Sequence, residues 1–138
     1  MPAHPNEVSL LLMSSQRRVL VVDDIPANRI IAEAMLRQLG WTVATASDGR
    51  EALRALGASP FDLVLLDISM PGISGMEVCQ SIRNNEALAN LPVIAYTAHA
   101  QPEDRRNFIA SGFNEVLIKP VNRDTLASAV AEVMQHVG

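Results

Sequence analysis

The chain has a single cysteine, Cys79, so it can form no internal disulfide. That excludes the cross-linked scaffold of small secreted domains and fits a reducing, cytoplasmic setting. No apolar run is long enough to cross a bilayer, so membrane insertion is not expected. Basic residues do not dominate: 11 Lys and Arg stand against 15 Asp and Glu, a net charge of -4. A general nucleic-acid-binding surface is therefore not expected. The N-terminus carries the apolar stretch Val8-Ser9-Leu10-Leu11-Leu12-Met13 but neither a basic leading region nor a small-residue cleavage site, so it does not read as a signal peptide. Internal linkers, repeats and low-complexity segments are also missing. What remains is 138 residues, 49% apolar, enough for one domain with one core. Residues 1–16 read as a loose N-terminal extension and residues 17–138 as the domain. The alternative for the apolar stretch is packing on the domain or on a partner.

Five short apolar runs alternate with helical patterns. The runs are Val19-Leu20-Val21-Val22, Thr42-Val43-Ala44-Thr45-Ala46, Leu63-Val64-Leu65-Leu66, Val93-Ile94-Ala95-Tyr96 and Val116-Leu117-Ile118. Runs that are continuously apolar, rather than alternating, suit strands covered on both faces; the more polar second run suits an edge. The first helix is expected over residues 26–39, with Ile30, Ile31, Ala34 and Met35 at helical spacing and Gly40 as its stop. Asp48 caps the second, which Gly57 should close. Ser74-Gly75-Met76-Glu77 is a capping box for the third. Pro102 opens the fourth, and Gly112 follows its end. Asn122 caps the fifth, whose stripe is Leu126, Val130, Val133 and Val137. Five βα units in succession imply an α/β fold, a parallel sheet with helices on both faces. Ligands of such sheets sit beyond the carboxyl ends of the strands.

Those ends carry the chemistry. The first run ends at Asp23-Asp24, the third at Asp67, the fourth at Thr97 and the fifth at Lys119. With the first and third strands as neighbours, ~4.8 Å apart, three carboxylates crowd together. Two like charges ~4 Å apart cost about 4 kcal/mol at an effective dielectric of 20. The cluster must hold a proton or bind a cation. An all-oxygen site open to water suits Mg²⁺, and Mn²⁺ is expected to substitute. A carboxylate not consumed by the metal can act as a nucleophile toward phosphorus, with Lys119 and Thr97 neutralising phosphoryl oxygens. Singly, each residue has a plainer reading: Asp23-Asp24 as a helix cap, Asp67 and Thr97 as strand ends, Lys119 as a surface lysine. Cys79 reads as a small buried hydrophobe and His136 as a charge at a helix end.

The segments Val21-Val22-Asp23-Asp24, Asp67-Ile68-Ser69-Met70-Pro71-Gly72-Ile73-Ser74-Gly75, Tyr96-Thr97-Ala98 and Lys119-Pro120, in this order and spacing, resemble the receiver domain of two-component signalling proteins. The resemblance runs over residues 18–135. It implies a (βα)5 doubly wound, five-stranded parallel sheet of flavodoxin-like order 2-1-3-4-5. It further implies that Asp67 is the phosphoacceptor, that Asp24, Asp67 and the Ser69 carbonyl bind Mg²⁺, and that Asp23 acts mainly through a metal-bound water. Thr97 and Lys119 would bind the phosphoryl oxygens, and Lys119-Pro120 would be cis. Ser69 and His99 stand where the family tunes hydrolysis of the acyl phosphate.

One position departs from the family. An aromatic usually stands three residues before the lysine and turns inward as the threonine moves; here that residue is Val116, which cannot make that swing. Tyr96 is not assigned the missing role. Output would then rest on the loop after Thr97 and the face of the fourth helix, fifth strand and fifth helix. The phosphoryl donor implied is a sensor histidine kinase or a histidine phosphotransfer protein, with an unidentified downstream protein target. Ala95-Tyr96-Thr97-Ala98-His99-Ala100 resembles receivers carried by hybrid kinases. Because the sequence stops after the fifth helical pattern, no output domain is expected. Two other readings are a docking platform that is never phosphorylated, and a phosphatase with an aspartyl-phosphate intermediate. The phosphatase needs a second acid two residues after its nucleophile, where this chain has Ser69. The domain is thus expected to act as a signalling module rather than an enzyme with an outside substrate.

Overall fold

The computed structural model describes residues 17–98 and 101–135. The readings placed on residues 1–16, His99, His136 and Val137 lie outside the described residues.

Strands β1 (Arg18–Val22), β2 (Thr42–Ala46), β3 (Leu63–Asp67), β4 (Val93–Thr97) and β5 (Glu115–Ile118) alternate with helices α1 (Pro26–Gln38), α2 (Gly49–Ala58), α3 (Gly75–Asn84), α4 (Pro102–Ala110) and α5 (Arg123–Gln135). The sheet is parallel throughout, in the order β2-β1-β3-β4-β5. All five residues of β3 and of β4 are buried, because helices cover both faces of the central strands.

Two cores result. Under α1 and α5 lie Val19, Val21, Leu63, Leu65, Ile94 and Leu117. Under α2 and α3 lie Leu20, Val22, Val64, Leu66, Val93 and Ala95, with Cys79 among them. Asp48 accepts the Glu51 amide at 2.8 Å, Ser74 and Glu77 form the reciprocal capping box, and Asn122 accepts the Thr125 amide at 2.8 Å. Pro102 opens α4, and Gly112, at φ 115°, takes the chain past its end in a conformation that side chains resist.

Two local expectations fail in whole or in part. Gly57 does not close α2, which runs on through Ala58; no positive φ is needed there, so the glycine is carried inside the last turn. The buried face of α1 also matches the one read from spacing only in part: Met35 packs against the core. Ala32 and Leu36 are buried, while Ile30 and Ile31 are 65% and 51% exposed. The helix is apolar on two adjacent stripes, and the sheet takes the one continued by Leu39.

Candidate functional site

Side chains alternate across a strand, so parity decides which can meet. Val21, Leu65, Ile94 and Leu117 all face the core under α1 and α5. Two residues further on, the same parity gives Asp23, Asp67, Tyr96 and Lys119. Thr97 instead continues the opposite face, with Val93, Ala95 and Val116. Ladder bonds reach past the strand ends and hold these residues in place: Asp23 N donates to Ala46 O at 3.2 Å and Lys119 N to Thr97 O at 2.8 Å.

Asp23 is fully buried. Its Oδ1 accepts the Ile25 amide at 2.9 Å; its Oδ2 accepts the Tyr96 hydroxyl at 2.5 Å and Lys119 Nζ at 3.1 Å. Asp67, 2% exposed, accepts the Ser69 amide on Oδ1 at 3.2 Å, and the same oxygen lies 3.3 Å from Lys119 Nζ. Lys119 Nζ also stands 4.5 Å from the centre of the Tyr96 ring. Half-buried Asp24 completes a trio: Asp23, Asp24 and Asp67 each offer an oxygen, all within 4.8 Å of one another.

The electrostatics follow from this packing. Burial holds the Asp67 carboxyl up at about 6; the charge on Asp23 adds to the rise, and Lys119 opposes it. Burial also works against an ionised Asp23, but hydrogen bonds from Tyr96, the Ile25 amide and Lys119 outweigh it and keep that carboxyl below its ordinary value. Burial, with the bond to Asp23, pushes the Tyr96 phenol far up, so it stays a donor at neutral pH. Negative charge at Asp67 is therefore under-compensated by the protein. Three carboxylates beside open water, with no sulfur or imidazole among them, suit a hard divalent cation such as Mg²⁺.

Asp24, Asp67, Ser69 and Thr97 line a cleft of about 440 Å³, with Asp104 and Phe108 of α4 on its far wall. Every strand-end residue singled out in the sequence thus reaches one place: Asp23, Asp24, Asp67, Thr97 and Lys119. The Lys119-Pro120 peptide is cis. Asp23-Asp24 do not cap α1, whose N-cap is Ile25 without a side-chain bond. Val116 is buried at 5% exposure in the core beneath Thr97 and does not line the cleft. Sequence reasoning missed Tyr96, Asp104 and Phe108. Strand parity alone would have placed Tyr96 on the face of Asp67; nothing in the sequence aims α4 at the cleft.

Known proteins share this sequence and fold. The chain is 39% identical over 127 residues to the CAI-1 autoinducer sensor kinase/phosphatase CqsS of Vibrio cholerae, covering 91% of this chain and 18% of that protein. It is 39% identical to the sensor protein GacS of Pseudomonas syringae, covering 86% of this chain and 14% of that one. The chain thus spans less than a fifth of these relatives. Among solved structures, the Vibrio cholerae chemotaxis protein CheY4 superposes with a TM-score of 0.81 at 32% identity, over 86% of this chain and 99% of its own. The receiver domain of the sensor histidine kinase PA1611 of Pseudomonas aeruginosa, solved with magnesium coordinated in its active site cleft, gives 0.80 at 34% identity, over 88% and 99%. The family model of the response regulator receiver domain matches residues 19–131, and the chain belongs to that family.

Proposed function

We propose that this domain is a phosphorylation switch in which Asp67 accepts a phosphoryl group from a phosphohistidine on a sensor histidine kinase or a histidine phosphotransfer protein. The observation that carries the reading is Lys119 Nζ held at 3.1 Å from Asp23 and 3.3 Å from Asp67 beside an open acidic cleft. A carboxylate oxygen of Asp67 attacks phosphorus in line; the O–P bond forms as the N–P bond breaks, and the imidazole leaves with that electron pair. Lys119 turns from Asp67 to one phosphoryl oxygen, the Thr97 hydroxyl donates to another, and backbone amides after Asp67 serve the third.

Mg²⁺ held by Asp24, Asp67 and the Ser69 carbonyl would supply positive charge against the phosphoryl oxygens, and Mn²⁺ suits the same donors. Asp23, both of whose oxygens already accept protein hydrogen bonds, contributes charge to that site rather than a direct bond. Ser69 stands where a leaving group would need a proton donor, so the chemistry ends at the domain's own phosphoaspartate and its hydrolysis. Exposed Ile25, which lines the cleft, with Ile30 and Ile31 nearby in sequence, offers the donor protein an apolar rim.

Output passes to a protein target through α4. No residue of that helix is fully buried; it is held mainly by Phe108 against the core and by the Arg105–Glu115 pair, and its Asp104 and Phe108 line the cleft. No membrane or nucleic acid enters this scheme, and the setting is cytoplasmic. Among the described residues no helix is long and apolar enough to cross a membrane.

Incubation with Mg²⁺ and a small acyl-phosphate donor, followed by intact mass, tests the reading. One phosphoryl adduct on the wild type, lost with chelator and in Asp67→Asn, is expected. A folded, metal-binding protein that takes no phosphoryl group from this donor or from phosphorylated kinases would leave the docking platform.

A further inference from the structure

Tyr96 is not used by the phosphoryl-transfer scheme, yet it is bound into the middle of the site. It is the only tyrosine in the chain and is 2% exposed. It stands on β4 level with Asp67 on β3, and its hydroxyl reaches past β3 to Asp23 at the end of β1. One face of the site is therefore a closed set of contacts. The phenol donates to Asp23 Oδ2, Lys119 Nζ donates to the same oxygen, and the Lys119 ammonium rests over the phenol ring.

A lysine ammonium is a point charge on a flexible four-carbon stem and holds no position by itself. Here two contacts, to Asp23 Oδ2 and to the Tyr96 ring, leave it facing Asp67, and the phenol holds that same Asp23 oxygen in place. Thr97 lies on the opposite face of the sheet, so Tyr96 cannot move into the space that Thr97 vacates; its role is not that of the missing aromatic at Val116.

We infer that Tyr96 is a positioning residue, whose hydroxyl holds Asp23 and whose ring holds Lys119, so that the ammonium stands beside Asp67 before the phosphoryl group arrives. The inference rests on the phosphoacceptor reading. Pre-placed charge lowers the barrier because little must reorganise: Lys119 has only to turn from Asp67 to the phosphoryl oxygen beside it. Tyr96→Phe keeps the ring and removes the donor. Tyr96→Leu removes both.

The test measures the rate of adduct formation at saturating Mg²⁺ by intact mass, beside the thermal midpoint. Metal-free NMR spectra of the Lys119 ε-methylene and the Asp23 carboxyl carbon supply a second readout. Tyr96→Phe should slow the reaction about tenfold, the scale of one hydrogen bond to a charged group. It should shift the Asp23 carbon while Lys119 keeps its ring-current position. Tyr96→Leu should slow it by roughly a further threefold and release the Lys119 resonance as well. A wild-type rate in Tyr96→Phe overturns the inference, whatever the spectra show. If the wild type accepts no phosphoryl group, the phosphoacceptor reading fails separately. The metal-free spectra then decide the positioning, and resonances that ignore both substitutions overturn it.

Discussion

At the amino ends of β4 and β5 one cation meets only neutral acceptors; at the carboxyl ends one cation pairs with two carboxylates of a cluster of three. The first cation is Arg83 of α3. Its Nε and Nη2 donate to the Gly112 carbonyl at 2.9 and 2.7 Å, Nη1 to the Leu91 carbonyl at 2.6 Å, and Nη2 to Asn114 Oδ1 at 2.9 Å. That amide oxygen also accepts Val93 N at 2.8 Å, so the guanidinium ties α3 to the entry of two strands. The second cation, Lys119, is shared by Asp23 and Asp67 and leaves Asp67 with a raised carboxyl. One end of the sheet satisfies its polar groups internally and works as a clamp. The other leaves charge for something outside the chain to satisfy, and stability is surrendered there to keep a site ready.

Arg83→Ala should break the comparison most strongly on the stable side. Several inward carbonyls lose their donor, and the loss should be about 3 kcal/mol, read as a lower urea midpoint. The rate of phosphoryl transfer should hold, since Arg83 touches nothing in the cleft. Gly75→Ala should affect both regions. A Cβ at that position would stand 2.3 Å from the Asp67 carbonyl oxygen and 2.8 Å from Ile68 Cα, so α3 must back away from β3 and drag the phosphoacceptor with it. About 2 kcal/mol of stability should go, together with a slower phosphorylation rate in the mass assay. Ser74→Ala removes the capping box of α3 and should cost about 1 kcal/mol in the same denaturation experiment.

The site was more legible than the clamp, and the reason is physical. Asp23, Asp24, Asp67, Thr97 and Lys119 each follow an apolar run, and a parallel sheet brings such ends to one edge whatever else the chain does. Arg83 binds mainly carbonyls, which every residue carries, from partners as far as 31 positions away; no side-chain pattern announces them. Tyr96 ended a strand pattern and read as one more apolar residue, because the value of its hydroxyl depends on Asp23 lying two strands away. On α1 two apolar stripes run side by side, and periodicity alone does not say which one the sheet will cover. Gly57 shows the converse limit: glycine permits a helix stop without requiring one.

Without a bound metal ion, Asp67 is under-compensated at neutral pH even with Lys119 beside it. Its carboxyl titrates near 6 in the fold against 3.8 as the ordinary value, so the native state binds the extra proton between those limits. The contribution to stability is complete below about pH 4 and is lost as pH rises through 6. Asp23 runs the other way, its lowered carboxyl favouring the fold at higher pH. Urea denaturation of the wild type and Asp67→Asn, in chelator and in Mg²⁺, at pH 4 and pH 7, separates them. In chelator at pH 7 the asparagine variant should be the more stable, by at most about 3 kcal/mol. That advantage should shrink at pH 4 and also on adding Mg²⁺. A variant less stable than the wild type in chelator at pH 7 would contradict the account, because Asp67 would then be a satisfied structural residue.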